Sequence, residues 1–350
     1  MDEATAIAMA GAGAQVVPSG QGLFAFGRIA TVIILDLETA ATALGSLDHA
    51  EFVGPFPSEF DAVLKSRSPI QLFLRSERGC LGLGKVHPSR IRNQPDSAEI
   101  YDCDLTFVEP LPFDVVDLVR PIDSSPPPSL DWLDHLPHDP STALGEFIEG
   151  WFADVAPNPP FPEPGIPLPT PLTDLYRLAA GRRDVLGDFN HVFAPSEVQE
   201  LPDGYVAFGA ECEGVWRLLL DPTVNDPPVF YDHDWPHFDG RVDRWTRERE
   251  RLRAFLLQFV LTEAALASPF GGLAFVDAEQ VRLFTEPLRP VPLQPTRWPT
   301  DTTNLYVTAG LVALVCQDDP EWLQLYVGAR RSGWVRPVRE PGFVWEHFRP

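Results

Sequence analysis

The chain has 350 residues, and 44% of them are hydrophobic, which is enough to fill the cores of two domains. Its formal net charge is −23, and a surface this acidic repels phosphate groups, which argues against direct binding of nucleic acid. The same charge attracts a basic partner and accelerates the encounter with it. An acidic surface also keeps a protein dissolved, so charge alone does not establish that a partner exists.

The four cysteines, Cys80, Cys103, Cys212 and Cys316, are scattered along the chain. They form no Cys-x-x-Cys pair, so their spacing predicts neither a zinc site nor a disulfide framework and fits a reducing compartment. The N-terminus is acidic where a secretory signal would be basic, and no apolar run approaches the ~18 residues of a membrane span. We therefore predict a cytoplasmic protein with no membrane contact.

The first 120 residues predict a flexible N-terminus followed by a separate domain. Residues 1–20 are rich in small side chains and indicate the flexible segment. Residues 22–120 carry strand patterns and predict an N-terminal domain of unknown type, either mixed α+β or mainly β. The clearest patterns are a buried strand in "RIATVIILDLETA", a hairpin that turns at Glu77–Gly79, and the strand "AEIYDCDLTFV" with one acidic and one apolar face.

Residues 121–140 are proline-rich and predict a stiff linker, because clustered prolines disfavour regular helix and strand. A second domain follows at 141–340, and residues 341–350 form a C-terminal tail. The elements predicted for this domain are a helix capped by Ser141, a helix capped by Thr170 that begins at Pro171 and ends before Gly181, a hairpin that turns near Glu213–Gly214, a strand in "PPVFYDHD", one long helix over 241–266, and three strands from Asn304 onward.

The segment "GCLGLGKV", residues 79–86, matches the start of a phosphate-binding loop. Such a loop continues with Ser or Thr and opens a helix, whereas Val86 and then His87 and Pro88 follow here inside a predicted hairpin. The glycines therefore indicate close strand packing. Neither Gly-x-Ser-x-Gly nor His-Glu-x-x-His occurs, so the motifs indicate no catalytic residue, no metal and no cofactor.

The densest group of polar and aromatic side chains is "FYDHDWPHFDG", residues 230–240. On a helix His233 and His237 would align, but Pro236 lies between them and the sequence identifies no third metal ligand. We therefore interpret the segment as an acidic, aromatic loop that contacts a partner, although its aromatic residues would fit the domain core equally well. The expected partner-binding residues are Asp232, Asp234, Trp235, Phe238 and Asp239.

Several short strings in the second domain resemble the SUKH superfamily, of the Smi/Knr cell-wall-regulator type. In chain order they are "IPLPTPLTDLYRLAAGR", "VFAPSEV" at 192–198, the hairpin "LPDGYVAFGAECEGVWRLLL" at 201–220, the "PPV" strand at 227–229 and the long helix at 241–266. The resemblance covers roughly residues 141–340 and does not extend to the first 120 residues.

This resemblance implies an α+β fold in which one twisted, mostly antiparallel sheet packs against helices. The smaller N-terminal domain, α+β or mainly β, precedes that fold and is predicted from its own strand patterns. It also implies a binding protein without catalytic residues. Bacterial members of the superfamily are mostly immunity proteins that bind and neutralise toxins, many of them nucleases. A fungal branch serves as a signalling scaffold in cell-wall synthesis.

Three hypotheses for the function follow. The first is an immunity-type protein that neutralises a basic toxin such as a nuclease by direct binding, because an inhibitor of a phosphate-binding protein should be acidic. The second is a regulatory or scaffold module without a toxin partner. The third is an enzyme formed by residues 22–120 that uses His87, Asp102 or Asp104.

Overall fold

The computed structural model describes residues 1–66, 68–94, 100–233, 245–300, 302–317, 322–338 and 343–349. The chain divides into two compact units, of which the first comprises Met1–Asp123 with His347–Pro350 and the second comprises Ser124–Glu346. The predicted α+β class is confirmed, since 27% of the chain is helical and 35% is strand, in mostly antiparallel sheets.

The first unit is built on a seven-stranded sheet. Its elements are α1 (Glu3–Ala8), β1 (Gln15–Ser19), β2 (Gly22–Phe26), β3 (Thr31–Leu35), α2 (Leu37–Ala43), β4 (His49–Val53), α3 (Ser58–Ser66), β5 (Ile70–Ser76), β6 (Gly79–Asn93), β7 (Ile100–Phe107) and α4 (Phe113–Val119). The strand order is β1-β2-β3-β5-β6-β7-β4. β3 and β5 pair in parallel, and the other neighbouring strands pair antiparallel.

β3 is an interior strand of this sheet, between β2 and β5. All five of its residues are buried, as its β-branched sequence predicts. β5 and β6 form the predicted hairpin, in which Gly79 adopts a φ of +116° that favours glycine. "GCLGLGKV" lies within β6 and opens no helix, which confirms the strand interpretation of this motif.

The first twenty residues are structured, in contrast to the flexible segment predicted from their composition. α1 follows Asp2, whose carboxylate accepts a hydrogen bond from the Thr5 N–H at 2.7 Å. The terminal ammonium donates to the Cys80 carbonyl at 2.9 Å, and the Cys80 N–H donates to the Met1 carbonyl at 2.7 Å. The two bonds between Met1 and Cys80 join residues far apart in the chain, so local composition does not reveal them.

The second unit contains two sheets, whereas the resemblance to the SUKH superfamily implied one. Its elements are α5 (Trp132–His135), α6 (Pro140–Trp151), α7 (Thr170–Ala179), a 3-10 helix (Arg183–Leu186), β8 (Asn190–Val192), β9 (Gln199–Glu200), β10 (Val206–Glu211), β11 (Arg217–Leu220), β12 (Pro228–Asp232), β13 (Trp245–Arg251), α8 (Leu252–Leu266), β14 (Phe270–Val276), α9 (Ala278–Thr285), β15 (Arg289–Pro290), β16 (Asn304–Thr308), β17 (Leu311–Gln317), β18 (Leu323–Ala329) and a second 3-10 helix (Ser332–Val338). The last strand, β19 (Trp345–Arg349), begins in the second unit, and its residues from His347 onward belong to the first. One sheet has the order β13-β12-β11-β10-β8, with β9 paired to β10, and the other has the order β15-β16-β17-β18-β14-β19.

α8 lies at the centre of the second unit's core. Its sequence is apolar on nearly every side, and 13 of its 15 residues are buried. It contacts β12 and β13 of one sheet, β17 and β18 of the other, and helices α6 and α7. Gln258, Thr262 and Glu263 are also buried on this helix, so their polar groups need partners inside the protein.

The predicted helix over 241–266 is wrong in its first part. Trp245–Arg251 form β13, which pairs antiparallel with β12, and the helix begins at Leu252. Residues 241–244 lie outside the described part of the chain. In β13 Glu248 is buried while Arg247 and Arg249 are exposed. This period of two identifies a strand, but the unbroken run of charged residues obscured it.

The other elements predicted for this unit are confirmed: helices α6 and α7, the β10–β11 hairpin, strand β12 and strands β16 to β18. Helix α7 begins one residue earlier than predicted, with Pro169 instead of Thr170 at the cap position. The cap of α6 is Asp139 instead of Ser141, because the Asp139 carboxylate accepts hydrogen bonds from the N–H groups of Ser141 and Thr142, both at 3.2 Å. The second unit begins at Ser124, and Trp132 and Leu133 of the proline-rich segment are buried in its core.

Candidate partner-binding groove

The acidic, aromatic segment at 230–240 is only partly within the described residues. Asp234, Trp235, Phe238 and Asp239 lie outside them. Asp232 ends β12 and is 0% exposed, and its Oδ2 accepts a hydrogen bond from the Arg217 Nη2 at 2.7 Å. Asp232 is therefore the buried member of an ion pair whose arginine is half-buried. This differs from the exposed position expected of a residue that contacts a partner.

An aromatic cluster of Tyr205, Phe230 and Trp245 lies beside this ion pair. The Tyr205 and Trp245 ring centroids are 4.7 Å apart, and Phe230 lies 6.0 Å from Tyr205 and 5.9 Å from Trp245. All three side chains are half-buried. β12 buries Val229 and Tyr231 and turns Phe230 to its other face, so the alternation within β12 is the sequence signal for this cluster.

A groove of about 530 Å³ lies elsewhere in the second unit. One wall is the proline-rich segment before α5, the second is the exposed side of α6, and the third is the start of the 3-10 helix Ser332–Val338 with the residue before it. The residues that line it include Ser125, Pro126, Pro128, Asp131, Glu146, Glu149, Arg331 and Trp334. Its volume falls within the ~300–1,000 Å³ of typical ligand pockets.

Helix α6 supplies two of the carboxylates of this groove. Glu146 and Glu149 are three residues apart and therefore lie on the same side of the helix, whereas Phe147 and Ile148 are buried. Gly150 allows the proline-rich segment to approach, because a Cβ at this position would lie 3.0 Å from the Pro128 Cβ. The sequence thus places an apolar face toward the core and an acidic face toward the groove.

A hydrogen bond joins the far wall to the proline-rich segment. The Trp334 Nε1–H donates to the Ser125 carbonyl at 2.9 Å. Trp334 is half-buried, so part of its ring faces the groove together with the rings of Pro126 and Pro128. These three rings provide apolar surface beside the carboxylates.

The groove is strongly acidic. Asp131, Glu146 and Glu149 are exposed, and the Glu146 carboxylate has His135 Nε2 at 3.3 Å. Arg331 is the one basic residue among the described residues that line the groove. The chain has no lysine or arginine between Arg120 and Arg177. In that stretch it carries nine acidic residues: Asp123, Asp131, Asp134, Asp139, Glu146, Glu149, Asp154, Glu163 and Asp174.

This arrangement suits the side chain of a partner's arginine or lysine. Carboxylates bind the cationic head group, and the proline and tryptophan rings contact its aliphatic stem. The face of an indole ring also attracts a guanidinium group. The groove was not predicted from the sequence, because Trp334 lies more than 180 residues from the other walls and no local pattern connects them. The absence of basic residues between Arg120 and Arg177 is the sequence signal for its acidic chemistry, although not for its location.

The residues of the enzyme hypothesis lie on neighbouring strands of the first unit. Asp102 on β7 forms an ion pair with Arg92 on β6, and this hydrogen bond raises the pKa of Arg92. Asp104 is opposite Arg90, and His87 is opposite Thr106. Both aspartates are thus placed across from arginines. Among the described residues, no group of three or more His, Cys, Asp or Glu side chains is placed to hold a metal ion.

Comparison of the chain with family models, curated proteins and solved structures gives no match. The resemblance to the SUKH superfamily therefore rests on the sequence strings alone. Within the described part of the chain, no helix is long and apolar enough to cross a membrane.

Proposed function

We propose that this protein is a non-catalytic binding protein that neutralises a basic toxin domain by direct contact, as an immunity protein does. The observation that carries the proposal is the groove lined by Asp131, Glu146 and Glu149 together with the rings of Pro126, Pro128 and Trp334. Carboxylates around a few aromatic and apolar rings are what a basic protein surface requires of its partner.

The charge distribution supports the same function. The second unit carries 33 acidic and 17 basic residues, which gives it a formal net charge of −16. Nucleases and other phosphate-binding toxins are basic, so long-range attraction speeds their capture by an acidic protein. A toxin held in this way is neutralised when the bound protein covers its phosphate-binding surface.

The groove is the principal contact in this proposal, and Asp234, Trp235, Phe238 and Asp239 form a second contact. Asp232 contributes indirectly, because its pairing with Arg217 holds the end of β12 from which that segment departs. The aromatic cluster of Tyr205, Phe230 and Trp245 extends this second contact.

The test is binding to a purified basic nuclease domain encoded beside the gene for this chain. We expect tight binding that weakens at least about tenfold between roughly 0.05 M and 0.5 M NaCl, because screening shortens the reach of the charges. Co-expression should also restore growth to cells that produce the nuclease. Absence of binding, or equal affinity at both salt concentrations, would contradict the proposal for that pair.

A matched pair of triple variants separates the groove from overall charge. Asp131→Asn, Glu146→Gln and Glu149→Gln together remove the groove carboxylates. Glu38→Gln, Glu77→Gln and Glu109→Gln remove three exposed carboxylates from the first unit and change the net charge equally. We expect the first triple variant to lose at least about tenfold more affinity than the second. Equal losses would show that only total charge matters.

A regulatory or scaffold module is the alternative function. It predicts that the nuclease binds no more tightly than an unrelated basic protein of the same net charge. Including such a protein in the binding assay distinguishes the two functions.

A further inference from the structure

A small cavity in the second unit is lined by five aromatic and four polar side chains. It holds about 20 Å³ and lies between α8, β8 and the residue that precedes β11. The rings of Tyr231 and Trp298 form part of its wall, and the Trp216 ring centroid lies 5.1 Å from that of Tyr231 and 5.9 Å from that of Trp298. Asn190, Trp216 and Gln258 line the same cavity.

Three buried polar atoms of these residues have no hydrogen-bond partner within the described chain. They are Asn190 Oδ1, Trp216 Nε1 and Gln258 Oε1. The residues that carry them are only 2%, 4% and 1% exposed. Buried polar groups in folded proteins are almost always satisfied, so three such atoms around one cavity indicate a bound molecule.

The orientation of both amide groups is fixed by other contacts. The Asn190 Nδ2 donates to Glu263 Oε1 at 2.6 Å, which leaves the amide oxygen as the unpartnered atom. The Gln258 Nε2 donates to the Gln294 carbonyl, which leaves Oε1 unpartnered in the same way. The three unpartnered atoms are therefore two acceptors, from Asn190 and Gln258, and one donor, the indole N–H of Trp216. The hydroxyls of Thr262 and Thr296, which also line the cavity, donate to backbone carbonyls.

We infer that this cavity binds one water molecule. A water donates two hydrogen bonds and accepts from an N–H group, which matches two acceptors and one donor. An ammonium ion has no acceptor and would leave the Trp216 N–H unsatisfied. The volume agrees, because a water needs at least ~10–15 Å³ and the cavity is too small for an organic metabolite.

The water joins elements that pack against one another in the core. Asn190 begins β8, Trp216 precedes β11, and Gln258 belongs to α8. From Asn190 the network continues through Nδ2 to Glu263, which lies five residues after Gln258 on α8. A satisfied polar network fixes one arrangement of helix and sheet, whereas apolar contacts alone tolerate small shifts.

The test is proton NMR of the wild-type protein with ¹⁵N-labelled indole groups. The chain has nine tryptophans, and Trp216→Phe identifies the signal of Trp216. In a rotating-frame Overhauser spectrum we expect a cross-peak between water and the Trp216 indole proton. Its sign should be that of dipolar cross-relaxation, because a long-lived water stays next to this proton without exchanging with it. Trp322 is 54% exposed and serves as a control whose cross-peak has the opposite sign, because its proton exchanges with bulk water.

Absence of the dipolar cross-peak would overturn the inference, and this outcome needs no variant. Gln258→Met removes one acceptor and is expected to abolish the cross-peak, whereas Gln317→Met, at an exposed position, should leave it unchanged. A crystal structure is a second measurement. One density peak within hydrogen-bond distance of all three atoms supports the inference, and an empty cavity or a larger molecule refutes it.

Discussion

Asn190 and Glu263 form a buried hydrogen bond of 2.6 Å between the start of β8 and α8. The same carboxylate also accepts hydrogen bonds from the backbone N–H groups of Asp188 and Phe189, both at 2.9 Å, and of Asn190 at 3.0 Å. Glu263 is 4% exposed. It therefore acts as an internal cap for the loop that leads into β8.

The first prediction concerns the loss of this carboxylate. In Glu263→Gln one oxygen is replaced by an NH₂ group, which faces N–H donors and cannot accept from them. We expect a loss of about 2 kcal/mol in the free energy of unfolding, because buried donors are left unsatisfied. Chemical denaturation of the variant and the wild type measures this loss of unfolding free energy. Equal stability of the two proteins would contradict the capping role of Glu263.

The second prediction concerns how the difference in unfolding free energy between the wild type and Glu263→Gln depends on pH. Burial raises the pKa of the Glu263 carboxyl above its ordinary value of 4.5, although its four hydrogen bonds oppose the shift. The folded protein then holds this proton more tightly than the unfolded chain does. The advantage of the wild type over Glu263→Gln should therefore shrink as the pH rises from 4.5 through the raised pKa. An advantage that grows with pH would refute the direction of the shift.

The third prediction concerns His49 in the first unit. The hydrogen bond with Asp48 raises the pKa of His49, and a contact with Glu51 adds to the effect. The protonated histidine is thus stabilised by folding, and this stability is present below pH 6.5 and lost as the pH rises through the raised pKa. Thermal unfolding measured from below pH 6.5 to above the raised pKa should show the stability advantage of the wild type over His49→Asn decreasing as the pH rises. A difference that stays constant with pH would contradict this prediction.

The sequence predicts strands and helices best where neighbours along the chain decide them. The apolar run of β3 and the capped helix α6 were identified because their patterns are local. β13 was not, because its pairing with β12 and the burial of Glu248 overrule the helical appearance of its charged sequence. Pairing between distant segments is the information that a local pattern lacks.

The candidate groove was beyond sequence analysis for the same reason. Its acidic side lies on α6, which was identified, but its shape depends on Pro128 meeting Gly150 and on Trp334 reaching Ser125. The predicted partner-binding set included Asp232, whose burial depends on an arginine of the neighbouring strand β11. Charge composition thus indicates the chemistry of a surface, whereas the contacts between segments determine where that surface lies.

The fourth prediction compares two glycines of α6. Replacing a helical glycine by alanine stabilises the helix by about 1 kcal/mol when space permits. At Gly145 the new Cβ would lie 3.3 Å from the flexible end of Leu178, which can move. At Gly150 it would lie 3.0 Å from the Cβ of Pro128, whose ring is rigid. We expect Gly145→Ala to stabilise the protein. Gly150→Ala should give no such gain in stability and should weaken partner binding. Chemical denaturation and binding assays measure both effects, and equal results for the two variants would contradict the role of Gly150.

The fifth prediction concerns the ion pair between Arg217 and Asp232. Asp232 is 0% exposed, so Arg217→Met leaves a buried carboxylate without its arginine partner. Breaking a buried ion pair from one side costs roughly 3 kcal/mol, because the remaining charge stays desolvated. Arg282→Met is the control, since Arg282 pairs with Glu279 at the surface, where loss of an ion pair has little effect. Chemical denaturation should show a large loss of unfolding free energy for Arg217→Met and a small one for Arg282→Met. Similar losses in both variants would contradict the prediction, because the burial of Asp232 would then add nothing to the stability that this pair contributes.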